Sequence, residues 1–207
     1  MGGAAAGEVA SRIFVETASE VFSGERSPEE DTGALVQKAF STANERILDQ
    51  AKNTPGYQGM GCTAEAAVLV HRRFVIGHVG DSRTYLFRQG RLTQITKDHS
   101  LVQEQLDQGL ITHAEARFHP HRHVIVRAVG VEEKLDVDLV RGELLPGDSI
   151  LLCSDGLTDM VDDASIQDVL SRPLDAFQKV ETLIGLAKAG GGHDNITVVV
   201  CALSESP

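Results

Sequence analysis

Apolar positions in the first fifty residues recur at a helical interval. From about Gly7 to Val21, Val9, Ile13, Val15, Ala18 and Val21 fit a 3.6-residue period, and Ser23-Gly24 stops the run. A polar link from Glu25 to Asp31 leads to a second stripe of Leu35, Ala39, Phe40, Ala43, Ile47 and Leu48, closed by Asn53-Thr54-Pro55-Gly56. Together they predict a helix pair lying on one face of a further layer. The period then changes. Short alternating or apolar runs at Ala66–Val70, Phe74–Val79, Thr84–Phe87 and Leu92–Ile95 predict strands. The separators His71-Arg72-Arg73, Gly80-Asp81-Ser82 and Arg88-Gln89-Gly90 are short enough for hairpins of an antiparallel meander.

A polar insert runs from Asp98 to His123. Leu101, Val102, Gln105 and Leu106 with Gly109 as a stop predict a short helix inside it, and Thr112 followed by Glu115 has capping-box spacing. Strand patterns resume at Leu135–Val140 and Ser149–Cys153. Helical ones follow at Ala164–Leu170 and Leu174–Ala189, ended by Gly190-Gly191-Gly192. The last run, Asn195–Leu203, is almost wholly β-branched or apolar and reads as a central strand. Helices grouped before and after strands give an α+β layout: antiparallel sheets packed together with helices outside.

A length of 207 residues is close to one domain, with no internal boundary visible, and can bury about 70% of its unfolded surface. Apolar residues at 42% and charged ones at 24% exclude disorder and fibrous repeats. The net charge of −11 argues against nucleic acid or an anionic membrane as partner and suits carboxylates gathered around cations. Cys62, Cys153 and Cys201 are odd in number and far apart, which argues against a disulfide framework and for a reducing, cytoplasmic setting. Val198–Leu203 is far shorter than the ~18 apolar residues of a membrane span, and no basic-then-apolar signal peptide is visible.

Three segments place a carboxylate at the end of an apolar strand beside glycine: Val79-Gly80-Asp81-Ser82, Cys153-Ser154-Asp155-Gly156 and Gly192-His193-Asp194-Asn195. A sheet can aim such a carboxylate into a cleft, and oxygen donors without a tetrahedral His/Cys set point to Mg2+ or Mn2+ rather than zinc. Each segment taken singly reads more readily as a turn. His119, His121 and His123 alternate, but Pro120 and polar neighbours favour a solvent-facing loop over a metal site. His193 has general-acid chemistry or is a plain loop residue. Thr63 and Ser154 lack a paired His and read as backbone-bonding residues rather than nucleophiles. Cys62 and Cys153 read as small buried hydrophobes, and Asp159, Asp162 and Asp163 as a helix cap and solvated face that could also retain hydrated cations. Arg83 reads as a support for the Asp81 turn.

In order and with their flanks, these segments resemble the PPM/PP2C family of metal-dependent Ser/Thr protein phosphatases in its bacterial form. The resemblance runs through Gly59-Met60-Gly61-Cys62-Thr63-Ala64, Gly77-His78-Val79-Gly80-Asp81-Ser82-Arg83, Thr96-Lys97-Asp98-His99-Ser100-Leu101 and His119-Pro120. It continues through Arg127-Ala128-Val129-Gly130, Leu144-Leu145-Pro146-Gly147-Asp148, Leu152-Cys153-Ser154-Asp155-Gly156-Leu157 and Gly192-His193-Asp194-Asn195-Ile196-Thr197. What it implies is a sandwich of two antiparallel sheets flanked by helix pairs. Asp155 and Asp194 would be ligands of a paired Mg2+ or Mn2+ core, Asp81 a ligand of a looser third ion, and the insert 98–123 a flap beside the cleft. The implied reaction is attack of a metal-activated water on phosphoserine or phosphothreonine in proteins, with a bacterial Ser/Thr kinase or its substrates as partners and neither nucleic acid nor membrane.

The resemblance also implies a shortened start. Met1-Gly2-Gly3 matches only the end of the family's Asp-Gly-Met-Gly-Gly segment, whose aspartate bridges both metals. Also missing are the family's phosphate-binding arginine, its Asn-Glu-Asp ligands and the first two or three strands, about 30 residues at ordinary strand lengths. The expectation is weak metal occupancy, impaired activity and exposed sheet edges that invite a strand-exchanged dimer. The alternative is an inactive remnant that binds a phosphoprotein or another partner without hydrolysing it.

Overall fold

A computed structural model describes residues 6–24 and 31–203. The Met1-Gly2-Gly3 segment and nearly all of the Glu25–Asp31 link lie outside the described residues. In chain order the elements are α1 (Gly7–Ser23), α2 (Thr32–Asn53), β1 (Ala64–Val70), β2 (Arg73–Val79), β3 (Arg83–Arg88), β4 (Arg91–Gln94), α3 (Leu101–Asp107) and α4 (His113–Ala116). They continue with β5 (Asp138–Glu143), β6 (Ser149–Cys153), α5 (Asp155–Thr158), α6 (Asp163–Ser171), α7 (Ala176–Ala189) and β7 (Val198–Ala202). Two sheets result, ordered β1-β2-β5 and β4-β3-β6-β7. By contacts the chain forms two compact units, one drawn from residues up to 69, 75–81 and 98–141, the other from 70–74, 82–97 and 142 onward.

In the first unit α1 and α2 form the expected pair. Asp31 caps α2 by accepting the Ala34 N–H at 3.2 Å. The inner face of α1 is Ala10, Phe14, Thr17 and Ala18, and the Phe14 ring meets that of Phe40 edge-on at 4.8 Å. Val15, expected on that face, is 61% exposed, because the position after Phe14 is turned about 100° around the helix. The core here gathers Val36, Ala39, Phe40, Ala43, Ile47, Met60, Val79 and Val129. Burying one side chain of the size of Phe40 or Ile47 contributes roughly 1.5–3 kcal/mol. Asn44 is the polar exception: buried on α2, it accepts the Gly130 N–H at 2.6 Å and donates to the Glu132 carbonyl at 2.8 Å, fixing the Arg127–Gly130 segment to the helix.

In the second unit β3 pairs antiparallel with β4 and β6, and β6 with β7, in a register that sets Tyr85 opposite Leu151 and Leu151 opposite Val200. Tyr85, Phe87 and Leu151 pack with Leu157, Val161, Ile166, Val169, Leu183 and Ala187 from the helices. Arg88 and Asp148 tie a strand end to the Leu145–Asp148 turn. The Asp148 carboxylate, almost wholly buried, accepts from Arg88 Nη2 at 2.6 Å and from the Leu145 N–H at 2.7 Å. Burial works to raise its pKa, but these donors outweigh it and hold the carboxyl below its ordinary value.

Several expectations need correcting. The four strands from Ala64 to Gln94 are not one meander: β1-β2 and β3-β4 are neighbours, but β2 and β3 belong to different sheets, so Gly80-Asp81-Ser82 is a switch and not a hairpin turn. The last strand is an edge rather than a central strand among the described residues, and Val199 is 47% exposed. Ile196, Val198 and Val200 of this run pack on the core cluster, while Val199 between them is exposed. The strand expected at Leu135–Val140 lies at Asp138–Glu143, because Leu135 packs on the core from the loop that precedes the strand. The Thr112–Glu115 capping box forms as expected.

Candidate metal centre

The ends of β6 and β7 are built for close approach. Beyond the Cys153–Val198 pair the Ser154 N–H donates to the Thr197 carbonyl at 3.1 Å. The Ser154 hydroxyl accepts the Thr197 N–H at 3.0 Å and donates to the Asn195 carbonyl at 3.0 Å. This serine thus extends the ladder with its side chain, drawing residues 194–197 onto the start of α5. It is the backbone-bonding role read from the sequence. Asp155 opens α5, and a Cβ on Gly156 would lie 2.3 Å from the Asn195 carbonyl oxygen, so only glycine admits this approach. Asp155 and Asp194 therefore stand on adjoining backbone segments at one end of the sheet. Each carboxylate is oriented by the following amide: Asp155 accepts from Gly156 at 2.9 Å and Asp194 from Asn195 at 2.6 Å. Asp155 is half-buried and Asp194 exposed.

Asp81 belongs to the first unit. It follows Gly80, whose φ of +118° and hypothetical Cβ 2.4 Å from the Thr63 side chain both require glycine. The Gly80 N–H donates to His99 Nδ1 at 3.0 Å and its carbonyl accepts the His99 N–H at 2.7 Å. His99 is buried, with Nε2 3.3 Å from Asp138 Oδ2 and 2.9 Å from Arg127 Nη1. Its pKa is lowered to about 4, first by burial and then by His78 and Arg127. His78 is fully buried and its Nδ1 meets the Glu65 carboxylate. The sequence reading gave none of these five residues a role. The available signal was a histidine within the otherwise apolar Phe74–Val79 run.

By donor type the aspartates suit Mg2+ or Mn2+, which take oxygen ligands and, for Mg2+, commonly only one or two carboxylates with the rest water. Among the described residues no group of three His, Cys, Asp or Glu has metal-holding geometry. Asp155 and Asp194 thus leave most coordination positions to other oxygens. Of the remaining candidates, Arg83, read as a support for the Asp81 turn, is seen on Tyr85, and Cys62 is only half-buried. Asp162 caps α6 through the Ser165 N–H at 2.8 Å, and Asp163 accepts from the Tyr85 hydroxyl at 3.0 Å. Arg83 reaches that same hydroxyl at 3.3 Å. His121 and His123 are exposed in a loop, as is His193, and His119 is half-buried. Cys153 is buried, and burial pushes the Cys62 thiol up to about 12.

Residues 1–189 match the family described as protein phosphatase 2C, and the chain belongs to that family. It is 43% identical over 200 residues to the serine/threonine protein phosphatase PstP of Mycobacterium tuberculosis, covering 97% of this chain but only 38% of that protein. It is 38% identical to the serine/threonine phosphatase stp of Listeria innocua, covering 97% of this chain and 80% of that one. A crystal structure of the PstP catalytic domain in complex with two manganese ions superimposes with a TM-score of 0.88 at 40% identity, covering 99% of this chain and 85% of that one. The expected fold class, two antiparallel sheets flanked by helices, is the one this family has.

Proposed function

We propose that residues 1–207 form a single phosphatase domain that hydrolyses phosphoserine or phosphothreonine in proteins, with a bacterial Ser/Thr kinase or its substrates as partners. The observation that carries the reading is the Ser154 bridge, which holds Asp155 and Asp194 on adjoining segments. In this reading Asp155 and Asp194 hold the paired Mg2+ or Mn2+ core and Asp81 a third ion. Divalent ions, when bound, activate water for attack at phosphorus and neutralise charge on the phosphoryl oxygens. The chain's own part is to orient carboxylates: the amides of Gly156 and Asn195 fix one oxygen each, glycine at 156 leaves room for the close approach, and the Ser154 bonds hold the two segments together. Among the described residues no helix is long and apolar enough to cross a membrane.

A second reading, a domain that binds phosphoproteins without hydrolysing them, is favoured by the lack of a three-donor metal group among the described residues. One experiment separates the two. Phosphate release from a phosphothreonine peptide is measured with Mn2+ and with excess EDTA, alongside peptide binding. Release that needs Mn2+ supports the phosphatase. Binding without release under either condition supports the second reading and overturns the first.

A further inference from the structure

Five titratable side chains meet in the first unit, and the proposed reaction uses none of them. Glu65 on β1 bonds the buried His78 on β2, the His78 ring lies 4.5 Å from that of His99, and His99 faces Arg127 and Asp138. Arg127 also donates to Asp138 Oδ1 at 2.8 Å. Two contacts of His99 converge on one residue, Gly80. Its ring accepts the Gly80 N–H and its main-chain N–H donates to the Gly80 carbonyl. That carbonyl belongs to the peptide leading into Asp81, so holding Gly80 through both polar groups sets the direction in which Asp81 departs from β2. His99 is equally anchored in the insert. Its carbonyl accepts the Val126 N–H at 2.8 Å, Ser100 bridges Ile125, and the Leu101 N–H donates to Val124 at 2.9 Å.

We propose that His99 is a positioning residue: it closes the base of the insert and, through Gly80, fixes the orientation of Asp81. Because Nδ1 accepts a hydrogen bond, the neutral ring carries its proton on Nε2, 3.3 Å from Asp138 Oδ2; Arg127 Nη1, 2.9 Å from the same nitrogen, is itself a donor and directs its hydrogens to Asp138 Oδ1 and the Asp136 carbonyl. Arg127 neutralises that carboxylate from the other oxygen. A doubly protonated ring would set N–H against N–H at Gly80 and open the clamp. The lowered pKa of His99 agrees with a ring that stays neutral at physiological pH. The role of Asp81 as a cation ligand rests on the phosphatase reading, whereas the clamp itself does not.

The test uses isotope-labelled full chain and two variants. In His99→Asn the amide oxygen falls near the place of Nδ1 and can still accept from Gly80. In His99→Gln the amide reaches the place of Nε2 and leaves the Gly80 N–H unpaired. Hydrogen exchange at Gly80 should be at least about tenfold faster in His99→Gln and close to wild type in His99→Asn. Mn2+ should broaden the Asp81 resonances of the wild type, with the half-point at least about fivefold higher in His99→Gln and restored in His99→Asn. In the wild type a scalar coupling across the hydrogen bond between the Gly80 nitrogen and His99 Nδ1 should be visible, and its absence overturns the proposal without any variant. Unchanged Gly80 exchange in His99→Gln overturns it too. If Mn2+ leaves Asp81 untouched in the wild type, the metal role of Asp81 falls and the exchange rates alone decide the role of His99.

Discussion

At the scale of single residues, the chain's polar atoms divide into those the sequence exposes by motif and those that only burial reveals. Asp81 and Asp155 stand out because each follows an apolar strand beside glycine, and Asp194 because it precedes an apolar strand just after a glycine run, all local patterns. His78 and Glu65 do not, because what makes them notable is a partner on the neighbouring strand and the exclusion of water, and neither is written locally. His99 carries a stability prediction. Folded, it titrates near 4, against about 6.5 unfolded, so between those values the unfolded chain binds the extra proton. Stability should therefore fall as the pH drops from about 6.5 towards 4, by on the order of 3 kcal/mol at most. The groups facing His99 are His78, Arg127 and Asp138, and Asp138, itself held below its ordinary value, titrates outside this window. Urea unfolding at a series of pH values should show a steeper loss over that range for wild type than for His99→Asn. Parallel curves would show that His99 is not the group responsible.

Elements were legible in proportion to how local their causes are. The stripe of α2, the stop at Ser23-Gly24 and the capping box at Thr112 each reside in a handful of neighbouring residues and form, while the α1 helix forms with its buried face shifted off Val15. Strand pairing depends on distant partners, which is why Gly80-Asp81-Ser82 reads as a hairpin turn when it is a passage from one sheet to the other. The same holds for β7, where an apolar run gives no sign of whether a further strand lies alongside. The one-turn helix α5 is below the length that periodicity can report, although its first residue is a candidate ligand. Its close packing makes a sharp prediction. In Gly156→Ala the added methyl would sit 2.3 Å from the Asn195 carbonyl. Either the 194–197 segment or α5 must move, at roughly 1–3 kcal/mol. Thermal unfolding should drop accordingly and Mn2+ affinity with it, while a variant as stable and as tight as wild type would mean that the approach of the two segments is not needed.

On the scale of the whole molecule, length suggests one domain, and each of the two compact units is drawn from three separate stretches of the chain. That interleaving is invisible to periodicity, which reports faces but not which distant faces meet. The acidic surplus of eleven charges gains a narrower meaning: part of it is the carboxylate pair that Ser154 gathers at the ends of β6 and β7. The central claim, that this pair holds divalent cations, is tested most directly by a Mn2+ titration followed by electron paramagnetic resonance on the wild type, Asp155→Asn and Asp194→Asn. The account predicts that each substitution weakens binding at least about tenfold, since each removes both a charge and a ligand. Mn2+ affinity unchanged in both variants would contradict it.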